Sequence, residues 1–175
     1  MHDPTMQSVC SLTDPAGPVL DPPTTLILPE AVRRSMVAWA RAEQPNEAVG
    51  ILATVRAGPG LRAVAWFPGT NVDASPVRYT MAPSEVRSTI ERIARAGWQP
   101  GAIVHSHPRH PAVPSATDLD EHRHRDALMV IISLTKSPPD ITAWYWRPNA
   151  SCPGGRMAEV AVQTAGLPAR REEKW

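Results

Sequence analysis

The chain has 175 residues, a net charge of +1 and two cysteines, Cys10 and Cys152. That length suits one ordinary domain with a real core, the near-neutral charge gives no support to a polyanionic partner such as nucleic acid, and no apolar run reaches membrane-spanning length. Two cysteines in loop-like segments make neither a disulfide framework nor a Cys-x-x-Cys site, and Met1-His-Asp-Pro-Thr5 lacks a basic-then-apolar leader, so a soluble cytoplasmic protein is expected.

Residues 1–23 are polar and Pro-rich and read as a disordered arm. Residues 24–28 read as a strand. Pro29-Glu30 opens a helix whose stripe is Val32, Met36, Trp39 and Ala40, and Pro45 stops it. Glu47 follows in the turn. Residues 50–55 and 62–67 read as a hairpin around Ala57-Gly-Pro-Gly60. Asn71 sits in a loop with no assignable role, and residues 78–81 read as a short strand. A second helix opens at Pro83-Ser-Glu85, buries Val86, Ile90, Ile93 and Ala94, and ends at Gly97.

Residues 101–104 are small and apolar and read as a buried strand running into His105-Ser106-His107. Strand side chains alternate faces, so His105 and His107 project together and Ser106 projects the other way. Two imidazoles on one face at a strand end can chelate a transition metal, although a plain polar edge has the same pattern. Asp118 offers a third ligand. Ser115-Ala-Thr-Asp118 also fits a helix capping box, and a first-turn residue can serve both purposes. The loop between carries three prolines and His110, read as solvent-exposed. The helix after Ser115 or Thr117 is expected to run through residues 118–126. Two residues apart on a helix diverge by about 200°, so His122 and His124 are poorly placed to share an ion. His122 lies on the Asp118 face and is a candidate outer partner, with a solvated surface as the plainer reading. Residues 128–134 read as a central strand and 141–146 as an aromatic-rich strand. Residues 149–155 read as a turn, 157–162 as a last strand, and the charged end from 166 to 175 as a frayed tail.

His105-Ser106-His107, seven residues, Ser115, two residues and Asp118, with Glu47-Ala-Val-Gly50 far upstream, resembles the signature of the JAMM (MPN-plus) metalloproteases. The resemblance spans roughly residues 24–165. One departure is Val49, where bacterial relatives often carry Cys, a position outside the chemistry. The resemblance implies an α/β (α+β) MPN/JAMM fold: a mixed, curved β-sheet flanked by helices, of cytidine-deaminase-like architecture.

It also implies Zn²⁺ held by His105, His107 and Asp118 with a fourth position open, the catalytic pattern rather than the closed structural one. Glu47 would be the general acid/base and Ser115 the oxyanion donor. Members of the family cleave beside the C-terminal Gly-Gly of ubiquitin or ubiquitin-like proteins, and some compact bacterial members act on a small sulfur-carrier protein in cysteine or other sulfur metabolism. The expected partner is such a carrier, with no nucleic acid and no membrane. The alternative is a non-catalytic MPN-type scaffold, but such proteins usually lack part of the ligand set, and here the set is complete. A deaminase would need H-x-E with P-C-x-x-C, and a helix-based protease H-E-x-x-H; neither pattern occurs.

Overall fold

A computed structural model of the chain describes residues 21–122, 124–149 and 152–166. The chain runs β1 (Thr25–Pro29), α1 (Glu30–Ala42), β2 (Val49–Ala57), β3 (Gly60–Gly69), α2 (Pro83–Arg95), β4 (Gln99–His107), α3 (Ala116–Glu121), β5 (Leu128–Ser133), β6 (Asp140–Asn149) and β7 (Cys152–Ala165). The strands form one mixed sheet that curves until it closes, in the order β1-β3-β2-β4-β5-β6-β7. β1 pairs in parallel with β3 and β7, and β4 with β5; the remaining pairs are antiparallel.

Alternation sorts the strand side chains between two layers. One face gives Leu26, Leu28, Leu52, Ala102, Val104, Leu128, Val130 and Ile132, which pack with Met36, Val37 and Ala40 of α1. Each fully buried leucine there contributes about 1.5–3 kcal/mol. The other face of β2 gives Val49, Ile51 and Ala53, which pack with Met81 and with Ile93 of α2. Met129 and Ile131, on the same face of β5, pack with Ala112. Helix α1 carries Glu30 in its first turn and Arg41 in its last, both favourable to the helix dipole.

Gly50 stands where the Trp66 side chain crosses β2, and any Cβ at this position would collide with that ring. Gly97 has φ 72° and closes α2 in the left-handed conformation.

Several sequence expectations are corrected. The buried face of α2 is Val86, Thr89 and Ile93; Ala94 faces solvent and Ile90 is 37% exposed. The helix sits turned on the sheet, which lifts Ile90 to the wall of a cleft. Residues 78–81 form no strand beyond one bridge, Asn71 to Met81, because the Asn71 side chain takes the Arg78 carbonyl and the Thr80 N–H. Helix α3 ends at Glu121 rather than running to 126, since His122 is already extended at φ −68°, ψ 97°. The turn expected at 149–155 gives way to strand at its described residues: Asn149 pairs with Cys152, and β7 runs from there to Ala165. The Pro-rich arm, Cys10 and the charged tail lie outside the described residues, apart from 21–23 and 166, as does the side chain of Cys152. Among the described residues no helix is long and apolar enough to cross a membrane.

Candidate metal centre

β4 is held on both edges, antiparallel to β2 and parallel to β5, so its end is a rigid platform. His105 lies opposite Val49 and Ile131, and His107 opposite Ser133. His105 and His107 share a face, while Ser106 points to the other. Helix α3 brings Asp118 over the pair. His105, His107 and Asp118 are 1%, 3% and 5% exposed.

The three offer ligand atoms that all lie within 4.8 Å of one another. The two Nε2 atoms are 3.1 Å apart, His105 Nε2 is 3.2 Å from Asp118 Oδ1, and His107 Nε2 is 3.4 Å from Asp118 Oδ2. An ion ~2.0–2.1 Å from each of three tetrahedral ligands sets those ligands about 3.3–3.4 Å apart. The His107 Nδ1–H donates to the Pro111 carbonyl at 2.7 Å, which leaves Nε2 with a bare lone pair in the neutral ring. Buried donor atoms this close, two nitrogens and a carboxylate, fit a metal ion. Burial lowers the His105 pKa despite Asp118. Burial opposes charge on His107 too, but Asp118 and the Pro111 carbonyl raise it on balance. Burial pushes Asp118 up, yet His105, His107 and Ser115 together hold it well below the usual carboxylate range.

Glu47 is 3% exposed, in the connection between α1 and β2. Its backbone is fixed from three sides. The Glu47 N–H donates to the Ser75 carbonyl at 2.8 Å, and its carbonyl accepts from Asn71 Nδ2 at 2.9 Å. The next residue is clamped to β4: the Ala48 N–H donates to Ser106 Oγ at 2.8 Å, and the Ser106 N–H donates to the Ala48 carbonyl at 3.0 Å. The middle residue of His105-Ser106-His107 thus ties the Glu47 connection to the strand bearing both histidines. The Glu47 side chain keeps one oxygen, Oε2, buried and without a partner among the described residues. Burial raises its pKa to about 7, with His107 opposing and Asp118 adding to the rise.

Ser115 caps α3 in a reciprocal box: Asp118 N–H donates to Ser115 Oγ at 3.1 Å, and Ser115 N–H donates to Asp118 Oδ2 at 2.7 Å. Acting as acceptor, the exposed hydroxyl keeps its own proton for donation. The preceding loop is pinned by Ser133 Oγ–H to the His110 carbonyl at 2.7 Å and by Thr142 Oγ1–H to the Ala112 carbonyl at 2.6 Å. The side chains of His110 and His124 are exposed. His122 is not on the surface; it is 8% exposed.

Three contributors had no assigned part in the sequence. Asn71 buckles the loop that holds Glu47, Ser106 clamps it, and Tyr79 stacks on His105 with ring centroids 4.3 Å apart. The Asn71 bonds depend on a fold-back that local patterning does not encode. Ser106 had a signal, since a polar side chain on the inward face of a central strand needs a partner. A cleft of about 440 Å³ opens beside the centre between α2 and the segment after α3, with Tyr79, Met81, Ile90, Ile103 and His122 among its walls.

Comparison with known proteins places this geometry. Residues 29–147 match the family of prokaryotic homologs of the JAB domain. The chain is 33% identical over 113 residues to the CysO-cysteine peptidase of Mycobacterium tuberculosis, covering 65% of this chain and 75% of that protein. It is 36% identical over 128 residues to the desampylase of Haloferax volcanii, covering 69% and 87%. The solution structure of protein DSY2949 from Desulfitobacterium hafniense superposes with a TM-score of 0.72 at 27% identity, over 83% of this chain and 97% of that one. With its mixed curved sheet, its buried His-His-Asp group and these relatives, the chain belongs to the prokaryotic JAB-domain family of JAMM-type peptidases.

Proposed function

We propose that this chain is a zinc peptidase that hydrolyses the amide bond after the C-terminal Gly-Gly of a small ubiquitin-like or sulfur-carrier protein, working in the cytoplasm in cysteine or sulfur metabolism. The observation that carries the reading is the buried His105, His107 and Asp118 group. The unpartnered Glu47 Oε2 beside it adds support. Relatives named for cleaving CysO-cysteine and TtuB conjugates support the substrate class.

His105, His107 and Asp118 would hold the ion. Bound zinc supplies Lewis acidity toward water and the scissile carbonyl. Glu47, with a pKa raised to about 7, takes a proton from the attacking water and returns it to the leaving amine. The Ser115 hydroxyl donates to the oxyanion of the tetrahedral intermediate. Residues 108–114, pinned to β5 and β6, hold His107 in the tautomer that faces the ion. A Gly-Gly tail has no side chains and would suit a narrow, extended approach to the centre, with the largely apolar cleft lined by Tyr79, Met81, Ile90 and Ile103 open to a larger upstream residue.

The test is zinc content by elemental analysis on wild type and His107→Ala, with cleavage of a carrier–cysteine adduct assayed on wild type and Glu47→Ala. Zinc in wild type and in Glu47→Ala, none in His107→Ala, and cleavage by wild type alone are expected. A wild type that holds no zinc and cannot be reconstituted makes the chain a scaffold. A zinc-loaded wild type that cleaves no Gly-Gly-tailed substrate overturns the substrate class.

A further inference from the structure

The two histidines of the centre are supported unequally. His107 Nδ1 donates to the Pro111 carbonyl, so its outer nitrogen is satisfied. His105 Nδ1 is buried and without a partner among the described residues. A histidine that presents Nε2 to an ion carries its proton on Nδ1, and a buried N–H without an acceptor is costly. A second buried ring nitrogen has the same deficit, His122 Nε2. His122 follows Asp118 by one turn, and its N–H donates to the Asp118 carbonyl at 3.0 Å. It lines the same cleft as Val49, Tyr79 and Ile103. Val49 pairs with His105, Tyr79 stacks on it, and Ile103 shares its strand face.

We propose that His122 is a positioning residue for His105: when the ion is bound, His122 Nε2 accepts the His105 Nδ1–H bond, directly or through one buried water. One contact then satisfies both orphaned nitrogens, fixes the His105 tautomer and holds its ring plane against Tyr79. His105 gains the outer support that His107 already draws from Pro111. The inference rests on the zinc reading of the triad.

The test measures zinc affinity by chelator competition on wild type, His122→Phe, His122→Gln and, as a surface control, His124→Gln. Phenylalanine fills the space and offers no acceptor. Glutamine reaches the Nε2 position with an amide that accepts. His122→Phe is expected to bind zinc about 10–100-fold more weakly, the usual scale for loss of an outer-shell partner. His122→Gln recovers most of that, and His124→Gln matches wild type. Long-range ¹H–¹⁵N spectra of the zinc-loaded protein should show a His105 Nδ1–H protected from solvent exchange, with the protection lost in His122→Phe. Thermal unfolding of the metal-free variants keeps folding separate from ligand orientation. Equal zinc affinity in His122→Phe and wild type overturns the proposal, as does a His122→Gln variant as weak as His122→Phe. A wild type without zinc overturns it together with the zinc reading, whereas a zinc-binding wild type with an unaffected His122→Phe overturns it alone.

Discussion

The Tyr79 ring lies on the His105 imidazole, centroids 4.3 Å apart and planes 19° apart. The stack fills one side of the His105 ring, whose strand neighbours are Val49 and Ile131, so His105 has little freedom to rotate. Stacked rings contribute about 0.5–1.5 kcal/mol beyond the area they bury. Tyr79→Phe is expected to keep stability and zinc content near wild type. Tyr79→Ala should lose about 2–3 kcal/mol in denaturant unfolding and bind zinc more weakly. A Tyr79→Phe variant as impaired as Tyr79→Ala would move the emphasis from the ring to the hydroxyl.

Asn71 spends its amide on four backbone groups: Nδ2 donates to the Glu47 and Arg78 carbonyls, and Oδ1 accepts from the Asp73 and Thr80 N–H groups. Asn71→Ala should cost about 2 kcal/mol and lower kcat, because the Glu47 connection loses its anchor. Asn71→Asp should rescue poorly, since a carboxylate cannot donate to two carbonyls. Denaturation midpoints and kcat on one substrate check both.

Ser106→Ala removes the acceptor for a buried Ala48 N–H at a cost of about 1–2 kcal/mol. Neither His105 nor His107 bonds to Ser106, so zinc content should hold while kcat falls. Loss of zinc in Ser106→Ala would mean that this clamp supports the strand end itself.

Ser115 is exposed and keeps its hydroxyl proton. Ser115→Ala should lower kcat by ~10²–10³ with KM little changed, the scale for one oxyanion donor. A change confined to KM would assign Ser115 to substrate binding.

The metal-free protein should have an unusual pH–stability profile. The folded Glu47 pKa is raised by burial to about 7 from 4.5, so folding favours its proton. That contribution is fully present below about pH 4.5 and is lost as pH rises through 7, amounting to about 3 kcal/mol. Asp118 acts with the opposite sign: held below its ordinary value, it contributes above that value and loses the contribution on acidification. Glu47→Gln should therefore stabilise the metal-free protein at pH 8 and have little effect near pH 4.5. Urea melts at the two pH values check this; equal shifts at both would show that Glu47 ionises freely.

Elements with strong local codes were legible. The strand ending in His105-Ser106-His107, the Ser115 to Asp118 box and the two longer helices each follow from alternation, capping and apolar stripes. Where tertiary contacts overrode local preference, the sequence misled. Ile90 keeps helical spacing with Val86 and Ile93, but α2 is turned so that Thr89 is buried in its place. The polar run after Asp118 reads as continuous helix, yet the backbone extends at His122 and sends that ring inward rather than to solvent. Residues 78–81 look extended in sequence because nothing there shows that a side chain seven residues back will claim the Arg78 carbonyl.

The brevity of α3 has one more consequence. At six residues it is too short to persist alone, and its start depends on the same carboxylate that faces the two histidines. If Asp118 holds an ion, local unfolding of this turn and loss of that ion would be one event seen from two sides. Amide hydrogens at Leu119 and His122, which donate back to Ser115 and Asp118, become reporters of occupancy without touching the ion. Their exchange with deuterium would quicken when a chelator strips the protein and slow again on reloading.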